Sequence, residues 1–386
     1  MRAARLSVLD FDPHTVATKP KLDLRAQVGQ TLIMGFEGVE MPAKLRTTLQ
    51  SLQPAGIILF ARNLREPRQT AELLRECQRC TATPLFLCVD LEGGTVDRMR
   101  ELIAPTPSVA DVAASGNRQL FRKHGRLLGH ECSMLGFNTD FAPVLDLAGE
   151  PSRSVLTSRT VSADPKQVVI YAREFLRGLN DVRILGCGKH FPGLGEASLD
   201  THKELPSIAK PWKRLWEEDL YPYRMLHRQL PFIMVAHASY PSVDQSGAPA
   251  SLSRKWISGI LREKLGYRGL VVSDDMEMGG VQAALPIGEA SVASLKAGSD
   301  IFLVCHHEEA VWNAYSCVLR TAEQDRRFAA RVTEASRRVL AFKTRRAELR
   351  CRRPVPSQTA VDKVRRSLWQ LGEEARLGAL SAADSG

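Results

Sequence analysis

Eight short apolar runs punctuate the chain: Gln30–Phe36, Gly56–Phe60, Leu85–Val89, Thr139–Val144, Ile184–Cys187, Phe232–Ala236, Leu270–Val272 and Asp300–Val304. Within each run the apolar residues are continuous and not alternating, the pattern of strands buried on both faces of a parallel sheet. Between them, Pro42–Leu52, Pro67–Arg79, Arg118–Leu135, Pro165–Leu179, Lys210–His227, Ser253–Leu265 and Gly288–Leu295 repeat apolar residues at three- and four-residue steps, as amphipathic helices do. Strand–helix alternation predicts an α/β protein with right-handed crossovers. Eight strands predict a closed parallel βα (TIM) barrel occupying residues 1–350 as a single domain. Beyond Arg345 the strands stop, Pro354 and Pro356 interrupt the chain, and Ala360–Leu377 predicts one more helix, so residues 351–386 are expected to form a basic, helical C-terminal tail.

The polar residues that follow these runs share a pattern. Arg62 and Asn63 follow the second run, Asp90 and Glu92 the third, Asp146 the fourth, and Lys189 and His190 the fifth. His237 follows the sixth, Asp274 and Asp275 the seventh, and His306 and His307 the eighth. In a βα barrel the C-terminal ends of the strands form the active-site face, so seven runs that end in chemically able side chains point to one shared pocket. The stretch from Lys189 to about Ile208 lacks helical period; connections of such length are usually functional or disordered, and the presence of Gly193, Gly195, Asp200 and two histidines favours a functional one.

Composition narrows the class. The chain of 386 residues is 44% hydrophobic and 25% charged, which excludes wholesale disorder. No apolar run reaches the roughly 18 residues of a membrane span. The net charge of +10 is concentrated at the end: sixteen basic against eight acidic residues from Leu319 onward, and thirty-seven against thirty-five before it. With no nucleic-acid-binding motif beside it, this excess is expected to be a solvated helix face rather than a specific nucleic-acid site. The eight cysteines are scattered; Cys77 and Cys80 form a C-x-x-C with no second pair or histidine at zinc spacing, so no metal site is expected. No apolar signal segment follows the N-terminal arginines, and cytoplasmic placement with reduced thiols is expected.

Two constellations carry chemistry. Asp274, in VVSDDMEMGG, sits where a buried strand meets a loop, a place from which a carboxylate reaches into a pocket as nucleophile or electrostatic partner. The alternative is a helix cap; two adjacent aspartates allow Asp275 to cap while Asp274 faces substrate. In Asp200-Thr201-His202 an extended backbone puts positions 200 and 202 on one side, so the carboxylate can fix the imidazole tautomer and raise a pKa that begins at about 6.5. That suits a general acid at neutral pH, although D-x-H is also common on surface loops. Asp90, Arg98, Arg159, Lys189 and His190 are candidates to bind hydroxyls, and each also suits a structural ion pair. Gly93 and Gly94 are expected to let backbone approach a ligand.

These residues resemble glycoside hydrolase family 3, specifically its single-domain bacterial β-N-acetylglucosaminidases of peptidoglycan recycling. The resemblance spans about Gly29 to Leu340 and rests on GIILFARN, VDLEGGTVDR, GFNTDFAPVLD, SRTVSADP, CGKHFPGLGEASLDTHKELP, MVAHASYP, PASLS and VVSDDMEMGG, in that order and at matching separations. It implies Asp274 as nucleophile, His202 as general acid/base assisted by Asp200, and Asp90, Arg98, Arg159, Lys189 and His190 as ligands of N-acetylglucosamine. It also implies a retaining, exo-acting hydrolase of muropeptide fragments that needs no cofactor or metal; a monomer with no membrane span is expected. Three positions depart from the common pattern: Leu194 stands in place of the histidine of KHFPGHG, Glu196 in place of a frequent aspartate, and Thr95 in place of the arginine of EGGRV. Three alternatives follow. One is a β-glucosidase or β-xylosidase of the same family, although those typically take their acid from an additional domain. The second is a phosphorylase, because a neutral imidazole does not repel phosphate. The third is a non-catalytic sugar-binding relative.

Overall fold

The computed structural model describes residues 22–150, 152, 156–197, 204–351 and 353–383. All eight expected strands form: β1 (Leu32–Met34), β2 (Gly56–Leu59), β3 (Phe86–Val89), β4 (Thr139–Asp140), β5 (Leu185–Phe191), β6 (Phe232–Val235), β7 (Leu270–Asp275) and β8 (Ile301–Val304). They are parallel and close in chain order, β1 meeting β8, into one barrel. Every residue of these strands is buried except the partly exposed Asp274, as continuous apolar runs require. Helices surround the sheet: α1 (Leu24–Gly29), α2 (Ala43–Leu52), α3 (Pro67–Arg79), α4 (Val109–Ala114), α5 (Arg118–Leu135), α6 (Pro165–Asp181), α7 (Trp212–Glu217), α8 (Leu220–Leu226), α9 (Gly279–Gln282), α10 (Ile287–Ala297), α11 (Glu308–Gln324), α12 (Arg326–Arg345) and α13 (Gln358–Ala383).

Local chemistry sets several of these boundaries. Asn117 caps α5 by accepting from the Gln119 amide, and Gly136, left-handed at φ 102°, ends it. Asp164 caps α6 by accepting from the Lys166 amide, with Pro165 in the first turn. The expected helix over Lys210–His227 divides into α7 and α8. Ser253–Leu265 winds as a π-helix over Lys255–Lys264. A short antiparallel hairpin, Leu91–Gly93 with Val96–Asp97, follows β3. Cys77 and Cys80 are buried on and after α3, and no metal-holding cluster occurs among the described residues.

The barrel lumen is a packed core. Ile33, Ile58, Phe86, Cys88, Phe141, Cys187, Phe232, Met234, Val272 and Leu303 fill it. At the N-terminal end of the strands, Phe342 from α12 closes the floor against Phe86 and Phe232, with ring centroids 6.0 and 5.6 Å apart. Helix α13 packs on α4 and α5 and buries Val361, Leu368, Leu371 and Ala375 in the same apolar cluster as the outer face of the barrel.

Lys343, beside Phe342, is also buried. Its Nζ donates to Gln30 Oε1 at 2.9 Å and lies 5.0 Å from the Phe86 centroid. Burial pulls its pKa from 10.5 down to about 7. The unfolded chain binds this proton more readily than the folded one, so the penalty is full below the folded pKa and fades as pH rises toward the unfolded value. Lys343→Met is therefore expected to raise stability by about 2–4 kcal/mol at pH 6, and by much less at pH 10. Urea unfolding at the two pH values measures the difference, and a gain that grows with pH would contradict it.

Candidate active site

The C-terminal ends of the strands surround a cavity of about 310 Å³. Its lining includes Asp90, Glu92, Arg98, Arg159, Lys189, His190 and Asp274, together with Asp275, Glu277 and His306 and the apolar residues Phe60, Phe141, Leu194 and Met234. The structure thus brings together six of the eight sequence-predicted site residues. The other two, Asp200 and His202, lie outside the described residues.

Two linked ion networks build one wall. Lys189, at the end of β5, places Nζ 2.8 Å from Asp90 Oδ1 and 2.6 Å from Glu92 Oε1. Arg159 grips Glu92 with both arms, at 2.7 and 2.9 Å. Arg98 lies 3.9 Å from Asp90 Oδ2. Burial alone would raise the Glu92 pKa, but the charges and hydrogen bonds of Arg159 and Lys189 outweigh it and hold the carboxyl well below the usual carboxylate range. Lys189 and Arg159 are correspondingly held firmly cationic against their own burial. The structural and binding alternatives for these residues are therefore both realised: they line the pocket and they are paired to one another. A network already satisfied internally presents its remaining lone pairs and protons to a ligand at fixed angles.

His190 is fixed by a second carboxylate. Its Nδ1 lies 2.7 Å from Asp146 Oδ2, and Asp146 Oδ1 accepts from the Leu194 amide at 2.8 Å. With Nδ1–H donated to the carboxylate, Nε2 is the ring nitrogen left for other work. The same aspartate thereby ties Leu194, one of the departures from the family pattern, into the pocket wall by its backbone. Glu196, another departure, lies 3.1 Å from Arg214 and 3.4 Å from Lys210 Nζ. Lys210 also reaches Glu218 at 2.7 Å and Asp219 at 2.5 Å. Pulling these carboxylates to one ammonium coincides with the break between α7 and α8.

The adjacent aspartates at the end of β7 divide their work. Asp275 is buried; its Oδ1 accepts from the amides of Glu277 and Cys305, and its Oδ2 lies 3.3 Å from His306 Nε2. The Asp275 hydrogen bond lifts the His306 pKa. Asp274 is partly exposed in the cavity, and among the described residues its carboxylate accepts one bond, from the Asp275 amide at 2.9 Å. Burial opposes its ionisation, yet His190 and that amide pull its pKa below the ordinary value, so it is an anion at neutral pH. His237 does not line the cavity. Its Nε2 donates to the Asp275 carbonyl at 3.0 Å and its Nδ1 accepts from Ser251 Oγ at 2.7 Å, which makes it a neutral brace behind the aspartates.

The structure corrects the reading of the two glycines. Gly93 and Gly94, at φ 91° and 61°, form the hairpin turn. A Cβ on Gly93 would sit 2.3 Å from the Pro107 carbonyl oxygen and one on Gly94 2.6 Å from Ser108 Cβ, so their close backbone neighbour is the segment 106–108 and not a ligand. The hairpin is needed because it turns Asp90 and Glu92 over the barrel mouth. Glu92, Asp146 and His306, strand-end residues given no specific role from sequence, also stand in the site, and so does Glu277, two residues beyond the end of β7.

The glycosyl hydrolase family 3 N terminal domain matches residues 23–342. A beta-hexosaminidase of Alkalilimnicola ehrlichii is 38% identical over 287 residues, covering 72% of this chain and 82% of that protein. One of Pseudomonas aeruginosa is 36% identical over 277 residues, with 72% and 82% covered. Among solved structures, a family 3 beta-N-acetylglucosaminidase from Paenibacillus sp. str. FPU-7 matches with a TM-score of 0.86 at 32% identity, covering 92% of this chain and 69% of that one. No helix among the described residues is long and apolar enough to cross a membrane.

Proposed function

The chain belongs to glycosyl hydrolase family 3, and from that premise we propose that it is a retaining exo-β-N-acetylglucosaminidase that removes terminal N-acetylglucosamine from β-linked cell-wall fragments in the cytoplasm. One observation carries the reading: an ionised carboxylate, Asp274, stands in a pocket of about 310 Å³, near the lower limit of ligand sites and suited to one sugar ring. The beta-hexosaminidase relatives support the sugar class. Lys189, His190, Asp90, Arg98 and Arg159 hold the sugar hydroxyls and N-acetyl group. Asp274 attacks the anomeric carbon while protonated His202, oriented by Asp200, gives its proton to the leaving oxygen. A glycosyl-enzyme forms through an oxocarbenium-like transition state; His202, now neutral, takes a proton from water, which attacks from the same face and restores the β configuration.

The test is turnover of aryl β-N-acetylglucosaminide against aryl β-glucoside, with product anomers followed by NMR. Preference for the N-acetylated substrate by about 100-fold or more is expected, because a site built to pair an amide leaves polar groups unpaired without it. Preference for the glucoside overturns the reading. Muropeptide fragments incubated with and without phosphate separate hydrolysis from phosphorolysis: free N-acetylglucosamine in both supports hydrolysis, and N-acetylglucosamine 1-phosphate in the phosphate arm assigns the phosphorylase alternative.

A further inference from the structure

A second, larger cavity of about 800 Å³ opens at the opposite end of the barrel. Leu270, the first residue of β7, lines it, while Asp274, four residues later, lines the sugar pocket, so the two are separated by roughly 13 Å of strand. Phe342, which plugs the barrel floor, forms part of its wall.

The lining is strongly one-sided in charge. Arg228, Arg268, Arg338, Arg345, Arg346 and His227 face it, with no acidic side chain among the described lining residues. Two of the arginines are compensated from outside: Arg338 lies 2.7 Å from Glu334 and 3.3 Å from Asp300, and Arg346 lies 3.8 Å from Glu348 with its guanidinium over the Phe342 ring. Arg228, Arg268 and Arg345 have neither an ionic nor a hydrogen-bonding partner among the described residues. Three uncompensated like charges lining one concavity, beside two that are compensated from outside, repel one another and are relieved by an anion.

The walls are rigidly built. Gly266, at φ 69°, turns the chain after the π-helix. Arg262 then donates to the carbonyls of Tyr267 and Gly269, on either side of Arg268, at 3.0 and 2.7 Å. The Tyr267 hydroxyl donates toward the carbonyl oxygens of Leu230 and Pro231, two and three residues after Arg228, at 3.2 and 3.1 Å. Three arginines from three separate segments thus line a space of nucleotide size, with the backbone beside Arg228 and Arg268 braced and their guanidiniums free to turn toward a ligand. Planar guanidinium forks match phosphate oxygens in pairs, which a scattered set of lysines does not.

We infer that this cavity is a binding site for a compact oligophosphate, an anion carrying two or more linked phosphate groups, distinct from the sugar pocket. The experiment uses the full chain in 0.1 M NaCl, with inorganic pyrophosphate and ADP titrated by calorimetry. One molecule of pyrophosphate bound per chain is expected; ADP binding equally assigns the phosphates alone, and ADP binding more tightly assigns a nucleotide. Arg268→Glu with Arg345→Glu is expected to weaken binding at least about tenfold, because each charged hydrogen bond to phosphate contributes on that scale. Both positions are exposed, and thermal melting checks the fold. Arg118→Glu with Arg366→Glu, on other exposed surface, gives the same net charge and is expected to leave affinity within about twofold. Absence of binding by either anion, equal loss in both double variants, or binding of duplex DNA alone would overturn the inference.

Discussion

Asp274→Ala is expected to lower kcat/KM for an aryl β-N-acetylglucosaminide by about 10⁴-fold or more, because loss of the proposed nucleophile would forfeit an interaction that exists only along the reaction path. The same change should leave the melting temperature nearly untouched or slightly raised. Among the described residues the Asp274 carboxylate accepts one bond, from the Asp275 amide, and that amide can turn to water in the pocket. Asp275→Asn is the informative partner. Asp275 accepts from two backbone amides and pairs with His306, so its loss should cost about 1–3 kcal/mol of stability and leave turnover measurable. The two aspartates thus separate by readout, one in rate and the other in stability. Wild-type turnover by Asp274→Ala, in protein freed of contaminating hydrolase, removes the nucleophile from that position. Because the Asp274 pKa lies below the ordinary carboxylate value, the acid limb of kcat/KM attributable to it is expected below about pH 4.

Much of this architecture is legible in the order of apolar and polar residues, and the reason is burial on two faces. A strand of a βα barrel contacts the lumen on one side and helices on the other, so its residues are selected continuously for apolarity, and all eight stand out. The discrepancies occur where pairing and hydropathy part company. β7 continues its ladder through Asp275, opposite Leu303, although the apolar signal ends at Val272. β4 ends at Asp140 although apolar residues continue to Val144; beyond it the pairing is irregular, with Pro143 unable to donate, and resumes as a single parallel bridge between Val144 and Lys189. The hairpin over Leu91–Asp97 depends on two left-handed glycines and not on alternation, so hydropathy alone misses it. α11 and α12 extend the helical layer beyond the helices expected, over residues 308–345.

The site follows the same division. Strand-end position identifies many of the residues that face the mouth, since it depends only on where each apolar run ends, but it also marks His237, which braces the site from behind, and it misses Arg98 and Arg159. It does not reveal which of them hold the others. Arg159 meets Glu92 across 67 positions and His190 meets Asp146 across 44, separations that carry no local pattern. Glu92 and Asp146 therefore read as two more strand-end carboxylates until the fold assembles them as anchors. The departures at positions 194 and 196 become intelligible in the same way: the first enters the pocket wall through a backbone amide indifferent to its side chain, and the second serves Lys210 and Arg214.

Glu92→Gln tests that anchoring role. The carboxylate is wholly buried between Arg159 and Lys189, whose own side chains are 15% and 3% exposed. Gln keeps the shape and removes the charge, leaving two cations to share Asp90 in a poorly solvated space. Breaking a buried pair in this way costs about 3–5 kcal/mol, read as a fall in the urea midpoint at pH 7. The pH dependence has a definite sign. The folded pKa of Glu92 is depressed below the unfolded value of about 4.3, so the carboxylate contributes its full stabilisation above that value and loses it as pH falls toward the folded pKa. Wild type and Glu92→Gln should therefore differ most between pH 5 and 8, and converge at about 1.4 kcal/mol per pH unit below pH 4. Catalysis should suffer separately, with KM rising more than kcat falls, since Lys189 and Arg159 lose the orientation that suits them to a sugar. A difference in stability that persists unchanged to pH 2 would show that the glutamate acts by shape rather than charge, and the wall would then be a packed surface instead of an electrostatic frame.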